Sequence, residues 1–152
     1  MTRGRALRIA LVLGLALGAV SSTPAGATVN IRNSSVSCSL TAALPTLSKS
    51  KQLSGSANVS CVAAASINIT VTVQVVELDG NVVDTMGGGF FISSSKPLVK
   101  STKAVAWTVT TPAKACVNTD GAGNEDYATV ALISAGGSTQ SERVGATDAW
   151  SC

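Results

Sequence analysis

The side chains best able to do chemistry in this sequence are four cysteines, a serine-lysine run and scattered carboxylates, because histidine is absent. Without histidine, Ser-His-Asp and Cys-His nucleophile pairs and histidine metal sites are excluded. The remaining nucleophile motif is S-x-x-K, from Ser93 to Lys96. That motif works when a helix places serine and lysine one turn apart, and here a Phe-Phe-Ile strand and Pro97 flank it. We therefore interpret it as a solvated serine-rich loop.

Paired carboxylates are the other route to hydrolysis. Glu77 and Asp79 could share one face of a strand, and Asp120, Glu125 and Asp126 cluster in one loop. Glycoside hydrolysis needs two carboxyl groups across a cleft, usually with aromatic side chains to stack the sugar, and aromatics make up only 3% of the chain. We predict that the protein is not an enzyme, with a carboxylate-dependent hydrolase as an alternative. Glu77 and Asp79 are expected to flank a hairpin turn at a soluble sheet edge.

The loop from Asp120 to Asp126 is rich in oxygen ligands and glycine, which would suit calcium. It lacks the alternating acidic positions and the distal glutamate of a helix-loop-helix calcium site. An ordinary turn is the preferred interpretation, and no metal or cofactor is predicted.

All four cysteines, Cys38, Cys61, Cys116 and Cys152, follow the N-terminal segment. An even number of cysteines in an exported chain indicates two disulfides, whereas a zinc site would need C-x-x-C spacing that is absent. Three pairings are open. We prefer Cys38–Cys61 with Cys116–Cys152, because each bond links neighbours along the chain and would join adjacent strands or fix an end.

Residues 1–27 have the pattern of a secretory signal peptide. Arg3, Arg5 and Arg8 precede an apolar run from Ile9 to Val20, and an A-x-A motif places the cleavage site between Ala27 and Thr28. The run is shorter than the roughly 20 residues that span a bilayer, and no cysteine near the site could carry a lipid. The separated arginines favour export of an unfolded chain. We predict a secreted protein, of bacterial style, with no membrane anchor.

Removal of this segment changes the charge of the chain. Of 11 basic and 8 acidic residues, three basic ones lie in the leader, so the mature chain has eight of each. A neutral chain with few aromatics has no electrostatic basis for binding nucleic acid. The predicted partner is an unknown extracellular protein or cell-surface ligand.

The mature region, residues 28–152, has the alternation of β-strands throughout and no dividing linker. From Ile67 to Val75 apolar and polar residues alternate without a break, which predicts the centre of one sheet. A turn at Asp79-Gly80-Asn81 should return the chain through Val82 to Met86, and Gly136-Gly137-Ser138 should form another turn. Pro97 is expected to mark a loop.

Further strands are predicted where the same alternation recurs. Two of them carry inward cysteines, around Cys38 and Cys61, and a third has Trp107 on its apolar face. The last two are expected at Asp126 to Ser134 and Ser141 to Trp150. Seven to eight short strands with regular turn signals indicate an all-β, antiparallel two-sheet sandwich.

The sequence NTDGAGNEDYAT at 118–129 resembles a strand-connecting turn of bacterial immunoglobulin-like domains. Tyr127 stands where the tyrosine corner of those domains would lie. Thr129 departs from the pattern, since antibody-type domains have a core cysteine there. The resemblance implies an immunoglobulin-like sandwich and no particular function.

The favoured function is a non-catalytic extracellular binding or structural module. A secreted protease inhibitor is the alternative, with a disulfide-held loop at Thr111 to Ala115 or Gly87 to Phe91 presented in a substrate-like conformation.

Overall fold

A computed structural model describes residues 28–79, 82–84, 91–116 and 126–145. Every regular element in these ranges is a β-strand, and all strand pairs are antiparallel. The strands are β1 (Thr28–Arg32), β2 (Val36–Ala42), β3 (Thr46–Leu47), β4 (Gln52–Ser54), β5 (Ser56–Ala63), β6 (Ile67–Asp79), β7 (Val82–Asp84), β8 (Phe91–Leu98), β9 (Val105–Thr110), β10 (Lys114–Ala115), β11 (Asp126–Ala135) and β12 (Ser138–Gly145). The all-β prediction is confirmed.

The strands form three sheets. Sheet 1 has the order β1-β2-β5-β9, and sheet 2 has the order β12-β11-β6, with β7 and β8 both paired to the far side of β6. The third sheet is small and has the order β10-β4-β3. Along the chain β3 follows β2, β4 precedes β5 and β10 follows β9, so each of its strands continues a strand of sheet 1 beyond a short interruption. Pro45, Gly55 and Pro112 lie at the interruptions. Proline lacks the N–H that a sheet ladder needs, and glycine in a strand marks a bend or a close approach.

The predicted central strand is confirmed and is longer than expected. β6 pairs with β11 over ten residues on one side, and with β8 and β7 on the other. Its antiparallel pairing with β7, Asp79 opposite Val82, confirms the predicted return of the chain as far as Asp84. Residues 80, 81, 85 and 86 of the predicted hairpin lie outside the described residues. A two-residue turn at Gly136-Gly137 joins β11 to β12, and both glycines have positive φ, 57° and 79°. That conformation is the one in which glycine is favoured over other residues.

Two boundary predictions were wrong. Pro97 lies inside β8, an edge strand, where a residue without N–H can be accommodated. The last strand begins at Ser138, not Ser141, because the glycine turn is tight. It is described as far as Gly145, so the predicted extension to Trp150 lies outside the described residues.

One apolar cluster draws on both larger sheets, which we call the aliphatic cluster. Alternation places every second side chain of a strand on the same face, so the inward positions of sheets 1 and 2 meet. Its buried members are Ile31, Val36, Cys38, Leu40, Ala42, Ala57, Val59, Cys61, Ala63 and Val109 from sheet 1, and Ile69, Val71, Val73, Leu98, Ala131, Ile133, Ala135 and Val144 from sheet 2. A second, smaller cluster, the tyrosine cluster, joins Leu53, Val75 and Tyr127.

Gly55 sets the distance between the sheets beside the tyrosine cluster. A Cβ atom built on it would lie 2.8 Å from Val75 Cγ2 and 3.0 Å from Thr129 Oγ1. Both neighbours belong to sheet 2, so the missing side chain of Gly55 lets sheet 1 approach closely.

Candidate binding face

The first predicted disulfide is confirmed. Cys38 and Cys61 are directly opposite each other on β2 and β5 and are bonded, with their Cα atoms 4.1 Å apart. Both are buried in the aliphatic cluster. The bond therefore lies within one sheet, whereas antibody-type domains link two sheets.

Cys116 is half-buried beside the tyrosine cluster, with its Sγ 3.7 Å from the hydroxyl oxygen of Tyr127. None of the described cysteines is a free thiol. Cys152 lies outside the described residues, so the pairing of Cys116 with Cys152 stays a prediction.

The serine-lysine run lies in strand β8, so the loop interpretation was wrong. Because side chains alternate in a strand, Ser93 and Lys96 point to opposite faces. The hydroxyl of Thr72 donates a hydrogen bond to Ser93 Oγ at 3.1 Å. Lys96 Nζ instead lies 5.0 Å from the ring centroid of Trp107 on β9, where cation and aromatic ring attract each other at one side of the core.

The carboxylates also lie differently from the prediction. Glu77 is 1% exposed, so it does not keep a sheet edge soluble. It continues the inward positions of Val71, Val73 and Val75, and this alternation was the signal that could have identified it. Asp79 is the last residue of β6, and the predicted pairing of its carboxyl with Glu77 lies outside what the structure describes.

Sequence reasoning also missed Glu142 on β12, which is 6% exposed. Its Oε2 accepts a hydrogen bond from the backbone N–H of Ala42 at 2.9 Å. Burial raises the pKa of this carboxyl above its usual value, and the hydrogen bond from Ala42 partly opposes that rise.

The loop from Asp120 to Asp126, interpreted from the sequence as an ordinary turn, lies outside the described residues except for Asp126, which is exposed at the start of β11. Within the ranges that the structure covers, no three His, Cys, Asp or Glu side chains come together as a metal-binding group. The same ranges contain no helix that could cross a membrane.

The most coherent surface is the outer face of sheet 1, which we call the hydroxyl face. It is formed by Ser39, Thr41, Asn58, Ser60 and Thr108, which line a shallow depression of about 510 Å³ together with Val59, Ala106 and Trp107. Strand register puts Thr41, Asn58 and Thr108 in one row across three strands, and Ser39 and Ser60 in the next. These rows occupy the outward positions that alternate with the buried cysteines and leucine.

Hydrogen bonds run across the hydroxyl face and leave many donors and acceptors open to solvent. Thr108 Oγ1 donates to Asn58 Oδ1 at 2.7 Å, and the hydroxyls of Thr28 and Thr41 are 2.8 Å apart. No charged side chain lines the depression. The face can donate and accept many weak hydrogen bonds, but its lining has no acid or base to activate a hydroxyl as a nucleophile.

The outer face of sheet 2 is less uniform. Hydroxyl pairs cross its strands, Thr70 with Ser95 at 3.0 Å and Ser134 with Thr139 at 2.8 Å. Half-buried Leu132 and the 53% exposed ring of Phe91 interrupt them. The outer face of sheet 2 therefore lacks the unbroken rows of hydroxyl and amide groups that form the hydroxyl face.

The two loops proposed for protease inhibition have different outcomes. Of Gly87 to Phe91, only Phe91 lies within the described residues. In the other segment Thr111 is buried and its Oγ1 accepts a hydrogen bond from the N–H of Gly55 at 3.0 Å, while Pro112, Ala113 and Lys114 are exposed. Lys114 already belongs to β10, so the exposed connection is short.

No family model matches the chain, and no curated protein matches it.

Proposed function

We propose that the chain is an exported, non-catalytic binding or structural module with a β-sandwich architecture. The sandwich is supported by the aliphatic cluster, to which both larger sheets contribute inward side chains. Export is supported by the leader pattern in residues 1–27 and by the Cys38–Cys61 bond, since disulfides persist in oxidising compartments. A bond between Cys116 and Cys152 would then fix the C-terminal end of the chain.

The observation that carries the binding role is the hydroxyl face. Most protein surfaces rely on charged side chains for solubility, yet this depression is lined by hydroxyl, amide and apolar groups alone. Such a face complements an uncharged, polar ligand, because desolvating hydroxyls costs far less than desolvating charges. The partner is an extracellular protein or a cell-surface ligand with that chemistry.

Charged substitutions test this proposal. The wild-type protein is expected to cosediment with isolated cell envelopes of the producing organism. Asn58→Lys and Thr108→Lys, both at exposed positions of the hydroxyl face, should abolish cosedimentation without lowering the melting temperature. Ser95→Lys, an exposed position on the outer face of sheet 2, is the matched control and should bind normally. Equal binding by all four proteins, or none by the wild type, contradicts the proposal.

A protease inhibitor is the second candidate, supported by the way the Thr111 to Ala115 segment is held. The backbone N–H of Thr111 bonds to Gly55 O at 2.9 Å, and that of Cys116 bonds to Lys51 O at 2.9 Å. A short exposed segment fixed at both ends loses little entropy on binding. Inhibition of a trypsin-like protease that is lost in Lys114→Ala would support this role, and unaffected protease activity at micromolar protein would reject it.

A further inference from the structure

Only one of the two oxygens of the buried Glu142 carboxyl has a hydrogen-bond partner. Oε2 accepts the Ala42 N–H, but Oε1 is buried and has no hydrogen-bond partner. A carboxylate removed from water is costly unless it is paired with a cation and fully hydrogen-bonded. An incompletely satisfied buried group of this kind calls for a missing partner.

The described strands packed against β12 do not supply a cation. These strands are β11, β1 and β2. β11 carries Asp126, which is exposed, and Tyr127; β1 carries Arg32, exposed at its far end; β2 carries only the disulfide-bonded Cys38. Among the described residues, the contact that opposes the effect of burial on the pKa of Glu142 is the Ala42 N–H. The side chain of Arg143, the next residue on β12, lies outside the described part of the chain.

Strand register shows what lies beside this carboxyl. Ala43 N–H bonds to Ser56 O on β5, so the N–H of Ala42 points the opposite way, toward β1. Thr28, the first residue of β1, is opposite Thr41, the neighbour of Ala42. Glu142 Oε2 therefore occupies the position just beyond the start of β1. Thr28 is the first residue of β1, and antiparallel pairing puts its backbone nitrogen on the side that faces Ala42 and not Leu40.

We propose that the Glu142 carboxylate binds the α-ammonium group of Thr28 that leader removal creates. This inference rests on the proposed export and on cleavage between Ala27 and Thr28. Hydrolysis breaks that peptide bond: the oxygen of water goes to the new Ala27 carboxylate, and the Thr28 nitrogen takes up protons to become an ammonium. A neutral amide with one N–H is replaced by a cation with three, which gives Oε1 a partner and pairs the buried charge.

The pair would make folding depend on processing. Glu142 lies on sheet 2 and Ala42 on sheet 1, so their contact joins the two sheets. While the leader is attached, the unpaired carboxylate destabilises this contact between the sheets. After cleavage, the ammonium group stabilises it. Such a chain is held back from its most stable state until it has crossed the membrane.

A double-mutant cycle tests the pair. The mature protein beginning at Thr28 is compared with one that retains Ala27, in the wild type and in Glu142→Gln, by thermal unfolding at pH 6. The extra residue moves the ammonium by about 3.8 Å. Retaining Ala27 should lower the melting temperature by roughly 3 to 6 °C in the wild type. In Glu142→Gln it should have almost no effect, while the Asp126→Asn control should behave as the wild type does.

The pH dependence gives a second readout. In the structure the pKa of Glu142 is raised by burial, and we expect the same in the protein that retains Ala27. The stability of that protein should then be greatest below the ordinary value of 4.5 and fall as pH rises through the folded value. In the mature protein this fall should be reduced, and stability should instead fall near pH 8 and above, as the ammonium loses its proton. NMR titration should give Thr28 an α-amino pKa above the ordinary value of about 8.

Equal effects of Ala27 in the wild type and Glu142→Gln, with an ordinary α-amino pKa, would overturn the inference while leaving export intact. N-terminal sequencing of the secreted protein separates the two ideas. A start other than Thr28 removes the inference and corrects the cleavage site. A chain retained in the cell with its leader contradicts export itself.

Discussion

The aliphatic cluster and the tyrosine cluster differ in the polarity of the side chains at their inward positions. Around Leu40 and Ile133 nearly every inward residue is apolar. Near Tyr127 the inward positions also hold Glu77 and Thr129, 1% and 0% exposed. Polar residues on the inward phase are therefore buried with the apolar ones. Near Tyr127 the outward Val76 and Ala128 are buried as well, 1% and 0% exposed.

Leucine truncations in the two clusters should give the largest effects. Leu40 and Leu53 are both 0% exposed. Leu40→Ala should cost about 4 kcal/mol, since the long strands of sheets 1 and 2 surround it and cannot collapse into the cavity. Leu53→Ala should cost about 2 to 3 kcal/mol, because the short strands of the small sheet can relax. Urea unfolding measures both, and an equal loss would contradict the contrast.

The Cys38–Cys61 bond should contribute somewhat less than Leu40. The two residues are 23 positions apart, a loop whose closure corresponds to about 3 kcal/mol in the chain-entropy model. The double variant Cys38→Ala with Cys61→Ala leaves Cys116 untouched and should unfold at correspondingly lower urea. A loss of stability below about 1 kcal/mol would contradict the chain-entropy estimate for this disulfide.

Gly55 tests the close approach of the sheets beside the tyrosine cluster. Gly55→Ala should cost about 2 kcal/mol, because its Cβ would meet Val75 and Thr129 and force a backbone shift. Gly137→Ala is the control: nothing lies within 4 Å of its Cβ, so only the positive φ of 79° opposes it, at about 1 kcal/mol. If Gly137→Ala were the more damaging in thermal unfolding, the spacing argument would fail.

Much of the fold followed from the sequence because alternation is a local property. The strand from Ile67, the inward thiols of Cys38 and Cys61, and the turn at Gly136-Gly137 were each predicted from neighbouring residues and are confirmed. The interruption that creates the small sheet was not predicted, since it depends on Gly55 meeting another sheet.

The candidate face and the buried acids were harder to predict. A row such as Thr41, Asn58 and Thr108 exists only once strand order and register are known, because its members are far apart in the sequence. The burial of Glu77 and Glu142 was missed for another reason. Glu77 was assigned to a soluble sheet edge because it is acidic, and Glu142 was not singled out, although both continue an inward phase.

The smallest effect, and the only stabilising one, should come from Thr129. Its Oγ1 is buried without a hydrogen-bond partner, so Thr129→Val keeps the shape and removes an unsatisfied hydroxyl. Stability should rise by about 1 kcal/mol. Thr111→Val is the matched control: Thr111 Oγ1 accepts the Gly55 N–H, so its removal should cost about 1 to 2 kcal/mol. Urea unfolding of both variants measures the difference. Opposite signs would show that the threonines near the tyrosine cluster are distinguished by their partners and not by their burial, and a loss in both would contradict this.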